Sequence, residues 1–188
     1  MPKSISRIAL VLLSACGLVQ GAESAGVWLD VPFVKQEKNG CGAASVAMVM
    51  QFWQRQQGRP SDADSDAEQI QRTLYSSRAH GIYASDLERY LERHGFHVFA
   101  FQGVPDDLRQ HLAKGRPLIV ALKPGNQAPL HYVVVTGLDP ERNLVLLNDP
   151  AERKLLSEEQ AGFERAWKGA GNWTLLAVPQ SEGASSVR

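Results

Sequence analysis

Four short runs rich in Val, Ile and Leu crowd the second half of the chain: PLIVALK, HYVVVTGLD, NLVLLNDP and NWTLLAVP. They are β-forming, closely spaced and apolar, so they demand a sheet that is covered. Ahead of them the apolar spacing is mostly helical. From Cys41, the residues Ala44, Val46, Ala47, Met48, Met50 and Phe52 predict a helix to about Gln54. It is apolar around most of its surface and is therefore expected to be central and buried. Asp66 is placed to cap a helix running to about Tyr75, with Gln69 at the capping-box position. SDLERYLERHG predicts another, with Ser85 as cap, Glu88 three residues on and Gly95 as stop. PDDLRQHLAKG (105–115) opens on Pro and closes on Gly, the ends a short helix prefers. GVWLDVPFV (26–34) and FHVFAF (96–101) read as strands, and an amphipathic helix at about 157–168 precedes the last β run. Helices first and strands later make an α+β fold rather than an alternating α/β one. The 188 residues suit a single domain, expected over 27–180, with a tail at 181–188 expected to be disordered.

The beginning of the chain has a different character. MPKSISRIALVLLSACGLVQGAES places Lys3 and Arg7 before a short apolar run, Ile8 to Leu13. The run is far below the ~20 residues of a membrane span, so residues 1–21 read as an export signal. Leu13-Ser14-Ala15-Cys16 resembles the lipobox of bacterial lipoproteins, which implies cleavage before Cys16 and a lipid on its sulfur. The alternative is a plain secretory signal cut near Gly21. Both readings expect an exported protein, periplasmic or held at a bacterial outer membrane, whose membrane contact is limited to that anchor. Both leave Cys41 as the one thiol of the mature chain, so no internal disulfide forms. Basic and acidic residues balance at 20 each, which removes the electrostatic case for a nucleic-acid partner.

Cys41 stands between Gly40 and Gly42 where a helix begins. A helix N-terminus stabilises a thiolate, and flanking glycines allow a sharp turn and leave the sulfur uncovered. A small buried hydrophobe is the competing reading of a lone cysteine. A nucleophilic thiol needs a base, normally His. Of five histidines, His80 lies in a polar loop, His94 and His97 fall at a helix end and in a strand, and His111 is on an exposed-looking helix face. His94 and His97 lack the Cys or acidic cluster that would make a metal site, and no cofactor is expected. His131 opens the most β-like run. If that run and NLVLLNDP form a hairpin turning at Asp139-Pro140, His131 lies directly opposite Asp149, whose carboxylate would hold the imidazole. A one-residue slip would separate them onto opposite faces, and Asp149 alone reads as a turn-former before Pro150. Gln36, just upstream of the thiol, offers an amide for an oxyanion.

Taken in order, VPFVKQEKNGCGAASVAMVMQFW, HYVVVTGLD and VLLNDP resemble the nucleophile, His and Asp segments of papain-like cysteine peptidases of the bacteriocin-processing, double-glycine type. The resemblance spans about residues 29–178. It implies a papain-like α+β fold, with a helical N-terminal part bearing the nucleophile helix packed on a C-terminal antiparallel sheet. It also implies Cys41 as nucleophile, His131 as general base, Asp149 as orienting acid, Gln36 as oxyanion donor and a peptide or protein substrate. The best-known members are domains of ABC exporters that trim leader peptides. This chain has no P-loop Lys motif and is expected to be exported, so it resembles a free-standing relative. Ala43 stands where relatives often have Pro. A cell-wall amidase or acyl transferase on the same triad, and an inactive peptide-binding module, are the alternatives. Papain-related cell-wall peptidases usually follow the Cys with Ser-Gly, where this chain has Gly42-Ala43.

Overall fold

The computed structural model describes residues 26–125 and 128–180. The export signal with Cys16 and the tail at 181–188 lie outside the described residues. Seven strands make one antiparallel sheet: β1 (Val27–Trp28), β2 (Phe96–Gln102), β3 (Leu118–Leu122), β4 (His131–Asp139), β5 (Leu144–Asn148), β6 (Leu156–Glu159) and β7 (Trp173–Pro179). Their order is β2-β7-β3-β4-β5-β6. β1 pairs with Gly137 and Leu138 of β4, on the side that β3 leaves free beyond Val135. Among the described residues five α-helices accompany the sheet, α1 (Cys41–Gln56), α2 (Ala67–Leu74), α3 (Ala84–Arg93), α4 (Pro105–Ala113) and α5 (Gln160–Gly169), with one 3-10 turn at Ala63–Ser65.

Strand side chains alternate between two apolar layers, which is why the β runs are continuously apolar. Ile119 and Ala121 of β3 and Tyr132 and Val134 of β4 face α1, α2 and α3. Leu118, Val120 and Leu122 of β3 and Val133 and Val135 of β4 face α4 and α5, where Phe163 and Trp167 are buried. α1 is covered on almost every side, from Gly42 to Met50 and again at Phe52. A helix so enclosed cannot tilt without opening a cavity, so its first residue is held firmly.

Several local expectations need correction. The 26–34 segment is a strand only at Val27–Trp28; the Leu29 N–H still donates to the Thr136 carbonyl at 2.7 Å, and no ladder follows. Ser85 is not a cap: α3 starts at Ala84 after Tyr83, and no side chain caps it. The region read as one helix from about 157 divides into β6 and α5, because Leu156 and Glu158 alternate inward along a ladder with β5. Asp66 does accept from the Gln69 N–H, and Gly95 follows α3 with φ of 82°. Among the described residues no helix is long and apolar enough to cross a membrane.

Candidate active site

The loop before α1 brings the thiol to the surface. Its left-handed residue is Asn39, with φ of 58°, and Gly40 caps the helix at an ordinary φ of −100°. The sharp turn expected of the glycines therefore falls one residue earlier. Gly42 matters for space instead: a Cβ there would meet Leu87, Tyr132 and Ile82 at 3.3–3.5 Å. Cys41 is the first residue of α1, half-buried, and the first helical turn carries no acidic residue. The positive end of the helix is thus left to the sulfur.

The hairpin β4–β5 supplies the partners. It pairs Asp139 with Leu144, Leu138 with Val145 and Gly137 with Leu146 across a turn at residues 140–143, so the centre expected at Asp139-Pro140 is displaced. A bulge then leaves Thr136 unpaired, and the ladder resumes as Val135 with Leu147 and Val134 with Asn148. Continued one step, that ladder sets Asp149 opposite Val133, two residues from His131. The direct opposition expected from the sequence is therefore incorrect. The shift is by two, and a shift of two keeps both side chains on one face. Without the bulge, the earlier register would put Asp149 opposite Val134, on the other face. The result is a 2.7 Å hydrogen bond between His131 Nε2 and Asp149 Oδ1. Nε2 is occupied, which leaves Nδ1 as the ring nitrogen open to the Cys41 thiol, and the two groups shift each other's protonation.

Asn148, which the sequence reading passed over, ties these parts together. It is fully buried. Its amide donates to the carbonyls of Val31 and Pro32 at 3.1 and 3.2 Å, and its Oδ1 accepts from the Leu155 N–H at 3.0 Å. The incoming segment is thereby fastened to the end of β5. Farther along, the Gln36 N–H donates to the Pro150 carbonyl at 2.9 Å. Gln36 is thus held next to the Asp149 segment although 113 positions separate them, as the residue numbers show. Its Oε1 is buried without a partner among the described residues, and the residue lines the cleft. The signal for Asn148 was visible as NDP at a strand end, but its partners are far away in sequence.

Electrostatics follow from this geometry. Burial opposes a charge on Cys41. The His131 hydrogen bond, the Tyr132 and Gly42 backbone N–H groups and the imidazolium charge outweigh it and hold the thiol below its ordinary value. Burial likewise disfavours the imidazolium. Hydrogen bonds and charge from Asp149 and Cys41 prevail and push His131 up to about 9. Asp149 is desolvated, yet His131 and the N–H groups of Ala151 and Glu152 hold it below the usual carboxylate range. Tyr132 is pushed up to about 12 by burial and by the negative charges of Cys41 and Glu88, so it stays a neutral phenol. A thiol held below its ordinary value, beside an imidazole steadied by a carboxylate, suits attack on an acyl carbon followed by protonation of a leaving amine.

Cys41, His131, Asp149 and Gln36 line one cleft of about 1070 Å³. The loop at 79–84 forms one wall, and Leu122, Pro124 and residues 128–130 form another. His80 is exposed on that rim with φ of 51°. The other histidines are elsewhere: His94 stacks on Tyr90 at 4.1 Å, His97 is exposed on β2, and His111 is half-buried beside Phe101 rather than on an exposed face. Among the described residues no three His, Cys, Asp or Glu side chains group as a metal site.

Residues 28–175 match the model of the Peptidase C39 like family. No curated protein sequence matches the chain. Among solved structures, a protein of Bacillus anthracis described as a C39-like peptidase is similar over 84% of this chain and 99% of that one, at 18% identity and a TM-score of 0.65. The double-glycine-motif protease of an AMS/PCAT transporter, solved with a leader peptide, is similar over 81% and 94%, at 24% identity and a TM-score of 0.63. The peptidase domain of Streptococcus ComA, a bifunctional ABC transporter of a quorum-sensing pathway, is similar over 80% and 98%, at 19% identity and a TM-score of 0.60. These similarities carry the papain-like fold.

Proposed function

The chain belongs to the Peptidase C39 like family, and from that membership and the geometry of its cleft we propose that it is a cysteine peptidase hydrolysing peptide bonds by a Cys41–His131–Asp149 mechanism. The observation that carries the reading is the 2.7 Å His131–Asp149 hydrogen bond in the same cleft as the Cys41 thiol, a cleft large enough for a peptide. Cys41 Sγ attacks the scissile carbonyl carbon while its proton resides on His131. The tetrahedral oxyanion is met by the Gln36 amide and the Cys41 backbone N–H. Collapse breaks the C–N bond, and His131 Nδ1–H protonates the departing amine. A water, deprotonated by His131, then hydrolyses the thioester and frees the thiol. The leader peptide bound to the AMS/PCAT protease supports a peptide as the substrate here as well.

The domain occupies residues 27–180 behind an export signal at 1–21, and it works at a bacterial cell envelope, anchored through a lipid on Cys16. The signal's charge and apolar pattern support this placement. Metabolic labelling with an alkyne-bearing fatty acid tests it: label lost in Cys16→Ser supports the anchor, and equal label contradicts it.

Digestion of a mixed peptide library in H₂¹⁸O tests the activity. New carboxyl termini carrying ¹⁸O, formed by wild type and not by Cys41→Ala, support hydrolysis. Products joined to an added amine in place of water point to a transferase. No Cys41-dependent product contradicts both and leaves the peptide-binding module.

A further inference from the structure

We propose that the cleft selects a cationic side chain, Lys or Arg, on the leaving-group side of the scissile bond, with Glu158 as its counter-charge. This rests on the peptidase reading above. During acylation the acyl part stays on Cys41, and the amine part takes its proton from His131. The chain following the scissile bond must therefore leave past His131, on the side away from the thiol. Asp149 lies there, at the end of β5, and β6, which carries Glu158, is the next strand out from β5. Glu158 pairs with Val145 across β5–β6, so it shares the sheet face of Val145, Leu147 and Asp149, the face that α5 covers. It lines the same cleft as Cys41, His131 and Asp149.

The charges of this cleft do not cancel. Asp149 is paired with His131, no Lys or Arg lines the cleft, and Glu158 has no ion pair or hydrogen bond among the described residues. Burial and the nearby Asp149 charge raise its carboxyl, with His131 only partly offsetting them. A half-buried carboxylate without a cation is a cost that a cationic ligand relieves. The surface around it suits the rest of such a side chain: Leu122, Pro124, Leu130 and Ala166 offer apolar contact to the methylene stem of Lys or Arg while its head reaches Glu158.

The test uses paired peptides differing only by Lys, Arg, Gln or Glu at each of the first three positions after the scissile bond. Each is digested by wild type, Glu158→Gln and Glu158→Lys. The readout is the kcat/KM ratio of cationic to Gln peptide within each variant, so a general loss of rate divides out. At one position the expected wild-type ratio is roughly fivefold. It should fall to about one in Glu158→Gln and invert in favour of the Glu peptide in Glu158→Lys. A Cys41-dependent cleavage with no cation preference, or one that survives both substitutions, overturns this proposal alone. Absence of any Cys41-dependent cleavage overturns the peptidase reading and this proposal with it.

Discussion

The two halves of the site are held by different means. Cys41 is placed by a local device: the first residue of a helix buried on nearly all sides, preceded by a loop with one left-handed residue. His131 and Asp149 are placed by a register. Their meeting depends on the β4–β5 ladder, the bulge at Thr136 and the fastening of β5 by Asn148. A local device tolerates change elsewhere in the molecule. A register transmits any slip directly to the side chains it aligns. The chemistry needs both, so the hairpin is the half in which distant substitutions should disturb catalysis.

Perturbations of the site should separate the halves. Cys41→Ala should lower peptide hydrolysis the most, by about 10³-fold or more, with the thermal unfolding midpoint little changed. Gln36→Ala should lower kcat by about 10²–10³-fold, read from steady-state kinetics, because an oxyanion donor acts only after attack. Asp149→Asn should cost on the order of 10² and leave the nucleophile in place. It should also shift the pH profile. In wild type the imidazolium is stabilised up to about 9, so hydrolysis should persist through neutral pH and fall as pH rises past that value, when His131 loses the proton owed to the leaving amine. Removing the Asp149 charge should move that descending limb to lower pH.

The smallest effect on rate sharpens the contrast most. Val46→Ala in α1 and Asn148→Ala at the end of β5 both alter fully buried residues. Each should cost about 2 kcal/mol in denaturant unfolding. Under conditions where both variants are fully folded, Val46→Ala should hydrolyse peptides at nearly the wild-type rate and Asn148→Ala about tenfold more slowly. Equal rates would mean that the hairpin does not depend on its fastening.

This contrast also explains what could be read from the chain. The α1 helix, its buried character and Cys41 at its start were legible because helix periodicity and end signals are local. The β runs were legible for the same reason, being short, apolar and separated by turn residues. A hairpin turning at Asp139-Pro140 would set Asp149 directly against His131; the two meet only because the true register differs by two and a bulge restores the face. Nothing in VVVTGL announces a bulge at Thr136. Its hydroxyl donates to the Leu146 carbonyl, and a Cβ on Gly137 would lie 2.6 Å from the Val27 carbonyl, contacts that exist only once β1 and β5 are in place. The division of 156–169 into β6 and α5 was hidden likewise, since Leu156 and Glu158 alternate inward only against β5.

The proposed chemistry requires that Cys41 and His131 act as an activated pair. The direct measurement is the rate at which a thiol-directed, peptide-like electrophile labels Cys41 from pH 5 to 9, in wild type and His131→Ala, with adducts mapped by mass spectrometry. Rapid labelling of Cys41 well below pH 8, slowed by about 10²-fold in His131→Ala, is the expected result. Slow labelling that rises only near the free-thiol value of about 8.5, and is indifferent to His131, would contradict it.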